Sequence, residues 1–211
     1  MTDTAQVGYG RTDWDDYDHL PTNTGLSHEK LTMWGFLGSE CLLFGALISS
    51  YLLLRNKPDG LGIDVGPKAS DLFDIPFTSV SSFVLLMSSL TMVLAVQAIQ
   101  KGDDRQTRLW LASTASFGAL FIAGQVYEFT AFYREGMGYT TNISASAFYT
   151  LTGFHGVHVS VGILMLASLW FMSRSGRLTQ RNAETVEIVG LYWHFVDIVW
   201  IVIFGIVYLI P

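Results

Sequence analysis

The chain has 211 residues, of which 50% are hydrophobic and 14% charged, with a mean hydropathy of +0.38, far to the apolar side of a soluble domain. Its formal charge of −6 arises mostly in the first thirty residues, where Asp3, Asp13, Asp15, Asp16, Asp18 and Glu29 face only Arg11 and Lys30. These values exclude a soluble enzyme; the absence of a basic patch excludes nucleic-acid binding, and the single Cys41 excludes an intrachain disulfide.

Residues 1–28 are polar, rich in Asp, Thr and Gly, and lack the charged and apolar regions of a signal peptide. They read as a mobile aqueous arm, either docked on a partner or simply solvated. Residues 29–211 read as one membrane domain. Apolar runs at about 31–54, 76–100, 108–130, 145–172 and 187–210 are each long enough to cross a bilayer. The first linker carries Pro58, Gly60, Gly62, Gly66 and Pro67, the punctuation of an irregular loop. The other links are short, which makes successive helices antiparallel neighbours. The expected fold is therefore all-α, a five-transmembrane-helix bundle. Small residues four apart (Gly35 and Ser39, Gly45 and Ser49, Thr78 and Ser82, Thr91 and Ala95, Gly156 and Ser160) are candidates for close helix contact in lipid.

Ionisable groups within the spans carry the functional information. Glu40 lies in the first span, about 15 Å along its helix at ~1.5 Å per residue, and Glu128 lies near the outer end of the third, where it can reach water. His155 and His158 are in the fourth span, and His194 and Asp197 share one helix face in the fifth. No lysine or arginine lies deep in a span, so each carboxyl must be protonated, bonded to a histidine or hydroxyl, or hydrated. Three readings compete: a bis-histidine haem or metal site, a proton path, and polar bridges between helices of a larger assembly. The first is weakened because His155 and His158 share one helix with a single further intramembrane histidine, His194.

The strings GSECLLFGALISSY (38–51), YEF (127–129), FYTLTGFHGVHVSVG (148–162) and YWHFVDIVWIVIFGIVYLI (192–210), in this order, resemble subunit III of the haem-copper oxidases, particularly its short bacterial cytochrome c oxidase members. The resemblance runs from about Leu31 to the C-terminus. It implies an accessory subunit of an oxygen-reducing, proton-pumping complex, not itself catalytic, with haem and copper held by partner subunits and no cofactor or metal bound by this chain. The implied partners are subunit I as main contact, subunit II, further respiratory subunits and membrane phospholipid. Glu40 matches the family's carbodiimide-reactive carboxylate, and His155, His158, His194 and Asp197 match its histidines and aspartate. With Glu128, these are expected to serve bundle cohesion and lipid or subunit contact. Longer members have two further N-terminal helices that wall a lipid cleft. Here the acidic arm stands in their place, and the cleft needs a partner to complete it. Quinol oxidases and nitric-oxide-reductase-associated homologues have subunits of the same type. Similarity around Tyr149 and Trp193 favours cytochrome c as electron donor.

Orientation follows from charge. The side holding the N-terminus carries Arg11, Lys30, Lys101, Arg105, Arg108, Arg174, Arg177 and Arg181, whereas the other carries Arg55, Lys57, Lys68 and Arg134. Cations near span ends are retained on the inner side, which puts the N-terminus in the cytoplasm of a bacterial inner membrane and the C-terminus outside. Alkaline phosphatase fused to the C-terminus should be active and a fusion after Lys101 inactive; the reverse pattern would invert the topology.

Overall fold

The structure is a computed structural model that describes residues 27–55 and 74–210. The acidic arm up to residue 26 and the glycine- and proline-rich interior of the first linker lie outside the described residues. Five long helices make up the fold: α1 (His28–Leu54), α2 (Ile75–Gln100), α3 (Asp104–Arg134), α4 (Ile143–Arg174) and α5 (Ala183–Phe204). A 3-10 turn over Gln180–Asn182 precedes α5, and the chain widens into a π turn over Gly205–Leu209 after it. Each span is long and apolar enough to cross a membrane, and no strand occurs among the described residues. The chain is a multi-pass membrane protein. α1 and α3 begin three and four residues before their apolar stretches, in the polar turns His28–Lys30 and Asp104–Thr107.

Local chemistry fixes the ends. The Ser27, Asp74, Asp103 and Asn142 side chains accept hydrogen bonds from the backbone N–H groups of Lys30, Phe77, Arg105 with Gln106, and Ala145, satisfying donors that a helix start leaves open. The α2–α3 link is the tightest. Gly102 takes φ +74°, the Asp103 N–H returns to the Ala98 carbonyl at 3.0 Å, and the Asp103 side chain caps the next helix. Chain reversal is thus completed within three residues, and α2 and α3 run side by side.

Packing joins α2 to α3, α3 to α4, α4 to α5 and α5 back to α2, a four-helix ring with α1 laid against α4 and α5. Trp193 of α5 plugs the ring. Its indole Nε1 donates to Ser88 Oγ of α2 at 3.0 Å. Its six-membered ring fits where Gly118 of α3 and Gly162 of α4 have no side chain; a Cβ at those positions would lie 2.5 Å and 2.7 Å from it. One turn pair further along, Trp200 donates to Ser82 Oγ of α2 at 2.9 Å and meets Phe121 of α3 edge-on at 4.8 Å between centroids.

The small-residue pairs expected from sequence divide by helix. Thr78, Ser82, Thr91 and Ala95 of α2 are buried in the ring, and a Cβ on Gly156 would meet Gln125 at 2.7 Å. Gly35 and Gly45 of α1 have nothing within 4 Å of an added Cβ, so their small faces serve no contact among the described residues. The burial of α1 is confined to Leu37, Phe44 and Tyr51, a single stripe at heptad spacing, which leaves Trp34, Leu42 and Leu53 more than half exposed.

Trp193→Ala should destabilise the bundle by about 3–5 kcal/mol through the cavity it opens. Gly162→Val should cost about 1–3 kcal/mol by overpacking the same site from the other side. Thermal unfolding in mild detergent reads both, and unchanged midpoints would show that the indole is not the plug.

Candidate polar junctions between the helices

The ring and α1 bring most intramembrane polar side chains into three separate junctions. The first joins α1, α4 and α5. His158 Nδ1 lies 2.8 Å from the Phe154 carbonyl, and since a carbonyl can only accept, that nitrogen carries a proton. His158 Nε2 then faces Glu40 Oε2 at 3.0 Å, a contact that requires one proton held by either group. The pair is neutral as a unit in both arrangements, so Glu40 needs no lysine or arginine. Tyr192 of α5 donates to the His158 carbonyl at 3.0 Å, and Phe44 of α1 meets the His158 ring edge-on at 5.0 Å.

The second junction joins α2 and α5. His194 Nδ1 stands 2.6 Å from Ser89 Oγ, and the same serine is the polar neighbour of the Asp197 carboxyl. Asp197 is buried, and its Oδ1 has no hydrogen-bond partner among the described residues. His194 and Asp197 therefore share one serine on the facing helix.

The third junction lies toward the opposite end of the bundle. Glu128 was expected to reach water; instead it is buried, with Thr78 Oγ1 of α2 donating to it at 2.8 Å and the Tyr208 hydroxyl at 3.2 Å. Tyr208 belongs to the π turn after α5. The C-terminal end of α3 is thus covered by that terminal turn, which its apolar composition does not reveal.

His155 stands apart from all three. It is fully buried, stacked on Trp200 at 4.9 Å with a 24° interplanar angle and edge-on to Phe121 at 5.9 Å. Neither ring nitrogen has a hydrogen-bond partner among the described residues. The i, i+3 spacing of His155 and His158 does not direct them to one ligand, since one lies in an aromatic box and the other faces Glu40. Among the described residues no cluster of three or more His, Cys, Asp or Glu side chains could hold a metal ion.

Several partners were missed from sequence because they are ordinary serines, threonines and tyrosines. The adjacent Ser88 and Ser89 lie about two helical turns beyond Ser82, as Trp200 lies about two turns beyond the adjacent Trp193 and His194 on α5, and that shared period was the available signal. A fourth, surface cluster was also missed: Lys30 Nζ lies 2.6 Å from Glu187 Oε2, the Gln100 side chain donates to Glu187 Oε1, and Ser27 bonds Glu184. It places the starts of α1 and α5 beside the end of α2.

These arrangements define a polytopic helical membrane subunit in which Glu40, Glu128 and His194 are engaged in joining helices. The description "Cytochrome c oxidase subunit III" matches the chain over residues 17–210. Similar proteins include cytochrome c oxidase subunit 3 of Bacillus sp. (strain PS3), 41% identical over 179 residues, covering 85% of this chain and 84% of the relative. Cytochrome bo(3) ubiquinol oxidase subunit 3 of Pseudomonas aeruginosa is 34% identical over 209 residues, 99% of this chain and 94% of the relative. Cytochrome c oxidase subunit 3 of Synechocystis sp. is 40% identical over 187 residues, 87% and 77% of the two chains.

The chain belongs to the cytochrome c oxidase subunit III family. It is a non-catalytic subunit III of a terminal oxidase complex, in a family that does not carry the redox centres. The bis-histidine electron-carrier reading gains no support from these relatives.

Glu40→Gln should keep a donor facing His158 Nε2 and leave assembly and oxidase activity nearly unchanged. Glu40→Leu strands that nitrogen and should cost about 1–3 kcal/mol, read as a lowered melting temperature of the purified complex. Equal melting temperatures for the two variants would show that the pair does not hold α1.

Proposed function

We propose that this subunit supports subunit I of a proton-pumping haem-copper oxidase in a bacterial cytoplasmic membrane, limiting the motion of subunit I and sustaining proton uptake. Its N-terminus lies in the cytoplasm, residues 1–28 form the acidic arm, and 29–211 form the membrane domain. The observation that carries this reading is the engagement of three intramembrane polar groups across helices: Glu40 faces His158, Glu128 is held by Thr78 and Tyr208, and His194 meets Ser89. Groups so engaged join helices and provide no transport path or redox ligand. The broad apolar side of α1, with Trp34, Leu42 and Leu53 outermost, supports contact with a neighbouring subunit or with phospholipid. Subunit II and further respiratory subunits complete the assembly, and haem and copper belong to subunits I and II.

Cytochrome c is the proposed electron donor, in line with the names of the Bacillus and Synechocystis relatives. The Pseudomonas relative, named for ubiquinol and matched over 99% of this chain, gives the quinol reading a specific basis. Oxygen uptake by the purified complex with reduced cytochrome c, and separately with a soluble quinol, decides between them.

Removing this subunit from the assembled oxidase should leave the haem spectra and initial oxygen-reduction rate nearly intact, yet shorten the number of turnovers before inactivation. An oxidase lacking the chain that endures as long as the complete complex would remove the supporting role.

A further inference from the structure

A cavity of about 1110 Å³ opens between the first turns of α3 and the last turns of α4, outside the three junctions and away from α1. Arg105, Arg108 and Arg174 line it against one carboxylate, Asp103. That carboxylate is already engaged, accepting the backbone N–H groups of Arg105 at 3.1 Å and Gln106 at 3.0 Å. Arg108 uses Nε on the Asp104 carbonyl at 3.2 Å, and none of the three arginines forms an ion pair among the described residues. The Arg174 guanidinium stands 5.7 Å from the centre of the Trp170 ring, which orients it at the cavity wall.

We propose that this cavity binds the headgroup of an anionic phospholipid, with the arginines on its phosphodiester and the upper acyl chain against Leu109 and Trp170. Position orders the lining by depth. Arg105 and Arg174 lie at the ends of their spans, whereas Leu109 lies one turn further into α3 and Trp170 one turn further into α4. Cations above and apolar surface below reproduce the polarity of a glycerophospholipid, which an acidic protein loop lacks. Planar guanidinium groups suit paired phosphate oxygens, and basic pockets between span ends recognise anionic headgroups. Tryptophan is at home at that depth. The site requires only that the helices span a membrane, so it stands apart from the donor and the topology.

The test uses the whole oxidase complex in nanodiscs holding equal parts phosphatidylglycerol and phosphatidylcholine, with a photoactivatable analogue of one or the other. Crosslinks are mapped by mass spectrometry. The phosphatidylglycerol analogue should label the peptides carrying Leu109 and Trp170 and the phosphatidylcholine analogue should not. The combined Arg105→Gln, Arg108→Gln and Arg174→Gln variant should reduce that labelling more than tenfold, given about fivefold for each surface cation. The corresponding lysine variant should retain most of it. If the glutamine variant does not assemble, raising salt on the wild-type complex supplies the same loss of labelling. Equal labelling by both analogues overturns the site, as does labelling that is indifferent to both charge removal and salt. So does phosphatidylglycerol labelling that appears only after residues 1–26 are deleted, which would make the acidic arm the occupant.

Discussion

The fold depends on one indole. Trp193 is the point at which all four ring helices meet: it belongs to α5, donates to Ser88 of α2, and fills the gaps at Gly118 of α3 and Gly162 of α4. Lipid tails are as apolar as leucine, so within a membrane there is little hydrophobic drive to bring helices together. Close van der Waals fit and a few hydrogen bonds must do so. Trp193 provides both, and Trp200 repeats the arrangement two turns along with Ser82, Phe121 and His155.

Outside that ring, α1 is held differently. Its fully buried side chains form a heptad stripe, Glu40 with His158 makes a polar pair that is neutral as a unit, and its two ends are tied down by Lys30 on Glu187 and Arg55 on the Ile210 carbonyl. A lone ion at that depth is costly, and a pair sharing a proton avoids the cost without a lysine or arginine. The remainder of α1 is uncovered by the described residues, which fits a subunit completed by its neighbours. The chain thus divides into a self-sufficient core and an outer helix that its neighbours would finish.

Much of this was legible in the sequence, and the exceptions have physical causes. The five apolar runs gave the spans to within a few residues, and charge at Asp103 and Arg134 explains why α3 outlasts its apolar stretch. Helical spacing put His194 and Asp197 on one face, and Ser89 meets both. The environment of Glu128 was not legible, because its cover comes from Tyr208 in a π turn eighty residues away. Gly118 and Gly162 were also missed, since the role of each rests on a tryptophan from another helix. Gly35 and Gly45 of α1 did form such pairs and meet nothing among the described residues. Small-residue spacing reports a capacity for close approach; the partner determines whether it is used.

The central claim is that this chain supports an oxidase without holding its redox centres. The most direct test is an optical spectrum of the complex purified through this chain in mild detergent, followed by one of the isolated chain. Haem signals with a copurifying subunit I in the complex, and none in the isolated chain, are the expected result. A haem spectrum retained by the isolated, folded chain would contradict the account and return His155, His158 and His194 to candidacy as ligands.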